Sequence, residues 1–247
     1  MTSRGWALVT GAARRIGRVL ALSAADAGYD VVVHHRGHDD DARETARLVE
    51  AAGRRARTLN AELAADAGPG LLARSPAPVT LLVNSASVFE DDRIETLTAE
   101  ALDLALAINL RAPILLAQAM AAALPEDRAG LIVNIIDQRV WRPTPQFFSY
   151  SVAKAGLWAA TRTLAQALAP RVRVNAIGPG PTLASVHQAP ADFAREAAAV
   201  LLGRGPDLAE IGQALRYLID APSVTGQMIA VDGGQHLAWK TSDVIGN

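Results

Sequence analysis

Tyr150 and Lys154 are the residues whose types and spacing most directly suggest chemistry. They lie four positions apart in the segment FSYSVAKAG at 148–156, so on a helix they would share one face, one turn apart. An ammonium beside a phenol favours the phenolate, which would let the pair transfer a proton near neutral pH. The chain has 24 lysines and arginines, yet only Lys154 and Lys240 are lysines. Because lysine is a compact charge with an adjustable pKa and arginine is not, this choice indicates a chemical role. The alternative for the motif alone is a chance pair on an amphipathic helix.

The composition limits what this chain can be. Its 247 residues, 50% of them hydrophobic, can bury a large core as one α/β domain spanning 1–247. The formal net charge is −1, from 24 basic and 25 acidic residues, and no basic tract stands out, which argues against a nucleic-acid partner. The absence of cysteine excludes disulfides, thiolate catalysis and cysteine-ligated zinc.

The apolar runs predict a soluble chain. Residues 6–9 are short and lead directly into a glycine turn, as a strand does and a signal peptide does not. No uninterrupted apolar stretch is long enough to span a bilayer. We therefore expect a cytoplasmic protein without a membrane partner.

Short apolar runs alternate with long stretches rich in Ala, Leu and Arg. The predicted strands cover residues 6–10, 30–34, 56–59, 79–84, 130–136, 172–177 and 228–231, and the predicted helices cover 14–27, 41–52, 99–123, 147–169 and 207–221. Several strands are apolar at consecutive positions, which is typical of strands covered by helices on both faces. The alternation predicts one Rossmann-type α/β fold, a doubly wound parallel sheet of about seven strands. We interpret the Pro/Gly-rich segments 68–78 and 178–190 as loops.

A turn containing glycine follows the first predicted strand. The segment 10–17 is TGAARRIG and opens the first predicted helix. Gly11 permits a tight turn, Gly17 permits close packing of helix on strand, and the N–H groups at the helix start suit a pyrophosphate. The general dinucleotide pattern has a further glycine where this chain has Arg15. An ordinary βα turn is therefore the alternative to a nucleotide site.

The residues after the second predicted strand indicate which nucleotide. An acid in this zone would bind the ribose hydroxyls of NAD, whereas a cation would accept the 2′-phosphate of NADP. The chain has Arg36 there, with Arg14 and Arg15 in the first loop and no acid at the ribose position. We interpret the three aspartates at 39–41 as the first turn of the next helix, where carboxylates stabilise the helix dipole. This pattern favours NADP.

Three histidines lie close together in the same region. His34, His35 and His38 resemble a metal cluster, but no carboxylate or thiol spacing supports one. We therefore predict no metal and assign these residues a structural role or a place at the cofactor edge.

Together these motifs resemble the short-chain dehydrogenase/reductase family over essentially the whole chain. In chain order, the matching segments are the loop at 10–17, the Asn-Ser-Ala at 84–86, Asn109, Tyr150 with Lys154, the Gly-Pro-Gly at 178–180 followed by Thr182, and the Val-Asp-Gly-Gly at 231–234. They are similar to the family's cofactor loop, its Asn-Asn-Ala-Gly segment, its helix asparagine, its catalytic pair, its nicotinamide-side loop and its C-terminal signature.

The resemblance implies NADPH or NADP as the cofactor and a homotetramer with two long helices at its interface. The cofactor-binding residues it implies are Gly11, Arg14, Arg15, Ile16, Gly17, His35, Arg36, Glu62, Leu63, Asn84, Ser85, Ala86, Lys154, Pro179, Gly180 and Thr182. Asn109 would bend its helix and anchor a water that relays protons to Lys154. The alternative for Asn109 is a polar packing residue inside a helix.

Three departures from the family resemble its pteridine-reductase branch, which includes dihydromonapterin and dihydrofolate reductases. Asp137 replaces the serine usually found thirteen residues before the tyrosine, Arg15 replaces the middle glycine, and the segment 84–89 ends in Phe89. By this resemblance, Phe89 stacks on a pterin opposite the nicotinamide and Arg15 bridges the cofactor phosphate and the pterin. The alternatives are a loop-capping carboxylate for Asp137 and a core aromatic for Phe89.

The chemistry of a pterin suits these residues. A pterin is a flat heterocycle with donors and acceptors, for which an aromatic face and a cation are suitable partners. Reduction of its C=N bond requires hydride at carbon and a proton at nitrogen. We expect Tyr150 to donate that proton and Lys154 to hold the ribose and lower the phenol pKa. Asp137 would hydrogen-bond Tyr150 or substrate N–H groups, and Asn109 completes the predicted catalytic set.

Two other functions stay open. The first is another reductase of this family, acting on a ketone, an oxoacyl thioester or an imine. The second is a non-catalytic NADP-binding sensor, which the Tyr150/Lys154 pair disfavours because a sensor needs no proton donor. The predicted substrate loop at about 181–204 contains His187, Gln188, Phe193 and Arg195 but no motif that selects among substrates.

Overall fold

Seven strands pair in parallel and form the frame of the molecule. The structure, a computed structural model, describes residues 3–65, 67–184 and 188–239. The strands are β1 (Trp6–Val9), β2 (Asp30–His35), β3 (Ala56–Asn60), β4 (Val79–Asn84), β5 (Gly130–Ile135), β6 (Val172–Pro179) and β7 (Met228–Val231). They hydrogen-bond in the order β3-β2-β1-β4-β5-β6-β7, and every neighbouring pair is parallel. The predicted α/β class and doubly wound sheet are confirmed.

Helices cover both faces of this sheet. They are α1 (Arg15–Asp26), α2 (Asp39–Ala51), α3 (Pro69–Leu72), α4 (Ala99–Leu106), α5 (Ala112–Ala123), α6 (Phe148–Leu168), α7 (Pro190–Ala198) and α8 (Leu208–Asp220). Helices α1, α2 and α8 pack on one face of the sheet, whereas α3, α5 and α6 pack on the other. Both β4 and β5 are buried at all six positions, which explains their consecutive apolar residues.

The predicted strands and helices all occur, with ends shifted by at most two residues. Two helices fall in segments that we predicted to be loops, and there the prediction is wrong. The first, α3, is a single turn. The second, α7, lies inside the predicted substrate loop and contributes no buried residue. Its sequence signals include Pro190 in the first turn, where proline is well tolerated.

The predicted helix at 99–123 is interrupted. A π-helical turn, Ala107–Arg111, separates α4 from α5, and Pro113 lies in the first turn of α5. Proline has no N–H to donate to the carbonyl four residues earlier, which is that of Asn109, and a π turn accommodates the lost bond. The helix is therefore irregular at Asn109, where the sequence predicts a bend.

The run formed by α4, the π turn and α5 is strongly apolar. By length and composition alone, Ala99–Ala123 is a candidate membrane span with a mean hydropathy of 1.5, whereas we expected no membrane-spanning stretch. However, 56% of its apolar window is buried inside the protein. Packing against the sheet therefore accounts for much of its apolar character.

The strand order reverses between β1 and β4, and this reversal locates the site. To one side of β1 lie β2 and β3, and to the other lie β4 to β7. Where the order reverses, crossovers leave the sheet toward opposite faces and open a crevice at the carboxyl ends of the strands. The predicted site residues lie at the carboxyl ends of β1 to β6 or in the segments that follow these strands.

Candidate active site

Tyr150 and Lys154 share the buried face of α6. Tyr150 is 7% exposed and Lys154 is 3% exposed. The Tyr150 hydroxyl donates a hydrogen bond to Asp137 Oδ2 at 2.9 Å. Lys154 Nζ donates to the carbonyl of Ile135 at 2.8 Å and lies 5.5 Å from the centroid of the phenol ring. The two side chains are therefore neighbours, but Lys154 is hydrogen-bonded to the last residue of β5 and Tyr150 to Asp137, just after β5.

The electrostatics of this pair differ from the prediction. Burial raises the pKa of the Tyr150 phenol well above its usual value, and the nearby charge of Asp137 raises it further. Burial also lowers the pKa of Lys154 to about 8. The expectation that the lysine favours phenolate is therefore wrong for this arrangement, because the charge that contacts the phenol is a carboxylate. In this geometry Tyr150 is a neutral hydrogen-bond donor.

Asp137 serves two purposes at once. It is the N-cap of the 3₁₀ turn Gln138–Val140, where its Oδ1 accepts from the N–H of Arg139 at 2.8 Å. Its Oδ2 accepts from both Tyr150 and Arg139 Nη1, the latter at 3.2 Å. Asp137 therefore both caps the loop and contacts Tyr150, so the two predicted roles are compatible.

Three aromatic rings, Phe89, Phe147 and Tyr150, form what we call the aromatic platform. Phe89 stacks on Phe147 with ring centroids 4.2 Å apart, and it meets Tyr150 edge-on at 4.7 Å. Because Phe89 is half-buried, it is not a core aromatic. It lies beside the phenol with part of its surface available.

Asn109 holds the segment that carries Phe89. Its Oδ1 accepts from the N–H of Val88 and from Ser87 Oγ, both at 3.0 Å, and its Nδ2 donates to the carbonyl of Val88 at 2.9 Å. Both ends of this fully buried amide are thus hydrogen-bonded to residues next to Phe89. The water relay to Lys154 stays a prediction, and the contact with 87–88 is an additional role.

A cleft of ≈ 380 Å³, which we call the β1 cleft, opens at the carboxyl end of β1. The predicted cofactor residues in its lining are Gly11, Arg14, Arg15, Ile16, Gly17, His35, Arg36, Glu62, Leu63, Ser85 and Ala86. Gly11 has φ +65°, and a Cβ there would lie 2.9 Å from the Cα of Ala86. A Cβ on Gly17 would lie 2.0 Å from the Gly11 carbonyl oxygen. Both glycines are therefore required by the turn itself.

Arg36 at the cleft edge has an acidic neighbour that the sequence did not reveal. Arg36 Nη1 donates to Glu62 Oε2 at 3.0 Å, and both side chains are well exposed. The sequence directly after β2 has no acid at the predicted ribose position, but Glu62, also a predicted cofactor residue, reaches Arg36 from the segment after β3. A phosphate would compete with Glu62 for this guanidinium.

His34 supports the glycine turn. Its Nδ1 accepts from the N–H of Gly11 at 3.2 Å, and its Nε2 lies 3.2 Å from the carbonyl of Ala61. Burial lowers the pKa of His34 to about 4, so the ring is neutral. In the described ranges no group of three or more His, Cys, Asp or Glu side chains is arranged to hold a metal.

Arg15 joins the glycine turn to the segment after β6. Its φ of +54° is the left-handed conformation of the glycine it replaces, which costs a non-glycine residue roughly 1–2 kcal/mol. Its Nη2 donates to the carbonyl of Ala184 at 2.9 Å. The side chain therefore spans from the β1 cleft to the predicted substrate loop.

The other predicted cofactor residues lie along the same sheet edge, outside the described lining of the β1 cleft. Asn84 Nδ2 donates across the sheet to Asn134 Oδ1 at 2.8 Å. Pro179 ends β6, Gly180 N–H donates to the carbonyl of Val231 at 2.9 Å, and Thr182 Oγ1 donates to the carbonyl of Gly180 at 3.1 Å. Lys154 lies on α6 and is hydrogen-bonded to the carbonyl of Ile135 at the end of β5. Two residues of the sequence analysis, His187 and Lys240, lie outside the described residues.

Comparison with known families decides the assignment. The family model described as enoyl-(acyl carrier protein) reductase, of the short-chain dehydrogenase type, matches residues 11–236. The chain belongs to the short-chain dehydrogenase/reductase family. It is an oxidoreductase of that family rather than a sensor.

The proteins similar to this chain include reductases with different activities. The structure of FolM alternative dihydrofolate reductase 1 from Brucella suis in complex with NADP is 48% identical, with a TM-score of 0.95 and coverage of 99% of this chain and 100% of that one. The 3-oxoacyl-[acyl-carrier-protein] reductase of Aggregatibacter actinomycetemcomitans is 32% identical over 235 residues, 92% of this chain and 97% of its own. The angucycline C-6 ketoreductase LanV with bound NADP is 29% identical, with a TM-score of 0.85 and coverage of 96% and 100%.

Three site residues of this reductase were missed by the sequence analysis. Arg139 lies beside Asp137, and Phe147 supports Phe89 with a left-handed φ of +54°. Asp92 caps the start of α6 from a distant segment, because its Oδ1 accepts from the N–H of Ser149 at 3.1 Å. Only Arg139 had a usable signal, its position two residues after Asp137. The other two depend on contacts between distant segments.

Proposed function

We propose that this chain is an NADPH-dependent reductase of a dihydropterin-type substrate such as dihydromonapterin, dihydrobiopterin or dihydrofolate. The observation that carries the proposal is Asp137, which accepts from the Tyr150 hydroxyl at 2.9 Å while the Phe89 ring meets Tyr150 at 4.7 Å. A carboxylate can accept from the N–H groups at the edge of a pterin, and a half-buried ring can stack on its face. The 48% identity with a FolM alternative dihydrofolate reductase supports the same substrate class.

Tyr150 would supply the proton. Because burial and Asp137 raise its pKa, the phenol is protonated at neutral pH and serves as a general acid. The proton passes from the Tyr150 hydroxyl to the ring nitrogen of the substrate and leaves a phenolate. Lys154, with a pKa of about 8, is mostly charged at pH 7, so its positive charge would stabilise the phenolate once it forms.

The β1 cleft fits an anionic dinucleotide. The first turn of α1 contains no acidic residue, and the side chain of Arg14 makes no capping bond there, so its N–H groups suit a pyrophosphate. Arg14 and Arg36 would hold the 2′-phosphate, and Lys154 would hold the nicotinamide ribose. When bound, NADPH supplies the hydride.

Arg15 and the aromatic platform support a flat substrate. Phe89 and Phe147 already stack with an interplanar angle of 19°, so Phe89 needs little reordering to receive a planar ring. Arg15, through its contact with Ala184, places a cation between the β1 cleft and the substrate loop at about 181–204. We propose that it bridges cofactor phosphate and pterin.

A second candidate is a reductase of a ketone, a 3-oxoacyl thioester or an imine. The family model and the 3-oxoacyl-[acyl-carrier-protein] reductase relatives favour it. Against it is Asp137, since a carboxylate repels the developing oxyanion that a serine hydroxyl would stabilise.

The domain organisation, location, oligomeric state and partners of this chain are also proposals. We infer one domain over 1–247, a cytoplasmic location, and a homotetramer that binds neither nucleic acid nor membrane. Exposed Leu104 on α4 and Val152 on α6 support an interface along these helices, because large apolar side chains there would be covered by a second copy.

A panel assay tests the proposed function. NADPH oxidation by the purified protein is measured with 7,8-dihydrobiopterin, dihydromonapterin, dihydrofolate, a 3-oxoacyl thioester and simple ketones. We expect the highest kcat/KM with a dihydropterin. Turnover of ketones or thioesters without any pterin reduction would contradict the proposal and favour the second candidate.

A further inference from the structure

Arg139 shares a carboxylate oxygen with the proposed proton donor. Its Nη1 donates to Asp137 Oδ2 at 3.2 Å, and the Tyr150 hydroxyl donates to the same oxygen at 2.9 Å. The backbone N–H of Arg139 also holds Asp137 Oδ1 at 2.8 Å. The position of this carboxylate and the charge on the oxygen that faces Tyr150 therefore both depend on Arg139.

The surroundings of Arg139 are those of a site residue and not of a surface arginine. Its side chain is 19% exposed. The guanidinium carbon lies 5.4 Å from the Phe147 ring centroid and 5.9 Å from that of Phe89. Its Nε is buried without a hydrogen-bond partner among the described residues. A largely desolvated guanidinium is costly unless its charge is paired, and Asp137 provides the closest pairing.

A second carboxylate approaches Arg139 from α7. Glu196 Oε1 lies 3.9 Å from Arg139 Nη2. Glu196 is itself held, because its Oε2 accepts from Gln188 Nε2 at 2.8 Å and its Oε1 accepts from Gln235 Nε2 at 3.1 Å. The guanidinium thus lies between Asp137 and the helix inside the substrate loop.

We infer that Arg139 is a positioning residue that acts through Asp137, holding this carboxylate in place and reducing its hold on the Tyr150 proton. The charged groups that face the phenol are Asp137, Arg139 and Lys154, and those that face Arg139 are Asp137 and Glu196. Without the guanidinium, the full negative charge of Asp137 would bear on Tyr150. This change would make the phenol a poorer acid toward substrate. This inference rests on the proposed role of Tyr150 as proton donor.

A double-mutant cycle between Arg139→Met and Asp137→Asn tests this inference. NADPH oxidation is measured with 7,8-dihydrobiopterin, or with the 3-oxoacyl thioester if that is what the wild-type enzyme reduces. In the wild-type background we expect Arg139→Met to lower kcat roughly 10- to 100-fold and to leave NADPH binding, followed by fluorescence, unchanged. In the Asp137→Asn background the same change should cost less than about threefold, because no charge is left to neutralise.

Equal losses in the two backgrounds would overturn the inference and leave Arg139 a packing role. Arg139→Lys keeps the charge and should recover most of kcat, whereas failure of this rescue would also count against the inference. Arg142→Met, an exposed arginine three residues on, is the matched control and should leave kcat unchanged. If Arg139→Met does not fold, Arg139→Gln replaces it in the cycle.

The Tyr150→Phe variant separates this inference from the proposed function. If Tyr150→Phe keeps normal turnover, the proposed proton donor is wrong whatever Arg139 does. If Tyr150→Phe loses turnover but the cycle shows no coupling, only the inference about Arg139 fails.

Discussion

The β1 cleft and the aromatic platform lie at one edge of the sheet but are built in different ways. The cleft depends on backbone, through the left-handed turn at Gly11, the space beside Gly17 and the N–H groups of α1. The platform depends on side chains from segments far apart in sequence, with Phe89 after β4 and Tyr150 on α6. A backbone-built cleft can be shared by a whole family. A platform built from side chains is where one member acquires its own substrate.

Tyr150→Phe should have the largest effect and should divide the two regions cleanly. The change removes the proton donor of the platform and leaves the cleft untouched. We expect kcat to fall roughly 100-fold or more while NADPH affinity, measured by fluorescence titration, stays within about twofold. Near-normal turnover would show that the proton comes from elsewhere, and Asp137 would be the next group to test.

Phe89→Ala should have the next largest effect, again confined to the platform. Loss of a stacked ring should weaken dihydropterin binding by roughly 1–3 kcal/mol, about 5- to 150-fold. NADPH affinity in the same titrations serves as the internal control. A comparable loss of NADPH affinity would show that the cleft and the platform are one unit, which would break the comparison.

Arg36→Ala should have a smaller effect, confined to the cleft. A guanidinium–phosphate contact favours NADPH over NADH, but Arg36 must first leave Glu62, so we expect the NADPH KM to rise roughly tenfold. The NADH KM should change little. Arg43→Ala, an exposed arginine paired with Asp40, is the matched control. Equal kcat/KM values for NADPH and NADH in the wild-type enzyme would contradict the predicted phosphate site.

His34 should make the free energy of unfolding decrease gradually as the pH falls. Its pKa is about 4 in the folded protein and about 6.5 when unfolded, so the unfolded chain binds the extra proton. Its contribution to the free energy of unfolding is complete above pH 6.5 and is lost as pH falls toward 4, by at most about 1.4 kcal/mol per pH unit. Urea unfolding at several pH values should show this slope, and His34→Gln should reduce it. The exposed His38→Gln should retain the wild-type slope, and a slope unchanged in His34→Gln would refute the assignment.

The sequence predicts the cleft better than the platform, for physical reasons. Gly11 and Gly17 mark a local turn, and consecutive apolar residues mark buried strands, so the motifs and the sheet follow from neighbouring residues. Phe147 and Asp92 depend on the approach of distant segments, so no local pattern marks them. The pairing of Arg36 with Glu62 is missed for the same reason, and the rise in the Tyr150 pKa follows from burial that spacing alone does not show.

The central claim is that Asp137 makes the platform a pterin site, and the specificity of Asp137→Ser tests it most directly. This change restores the residue usual in the family. The measurement is the ratio of kcat/KM for 7,8-dihydrobiopterin to kcat/KM for a 3-oxoacyl thioester, in the wild-type enzyme and in the variant. The account predicts that the variant lowers this ratio at least about tenfold, by losing pterin reduction and tolerating or gaining ketone reduction. An unchanged ratio, or a wild-type enzyme that reduces only the thioester, would contradict it.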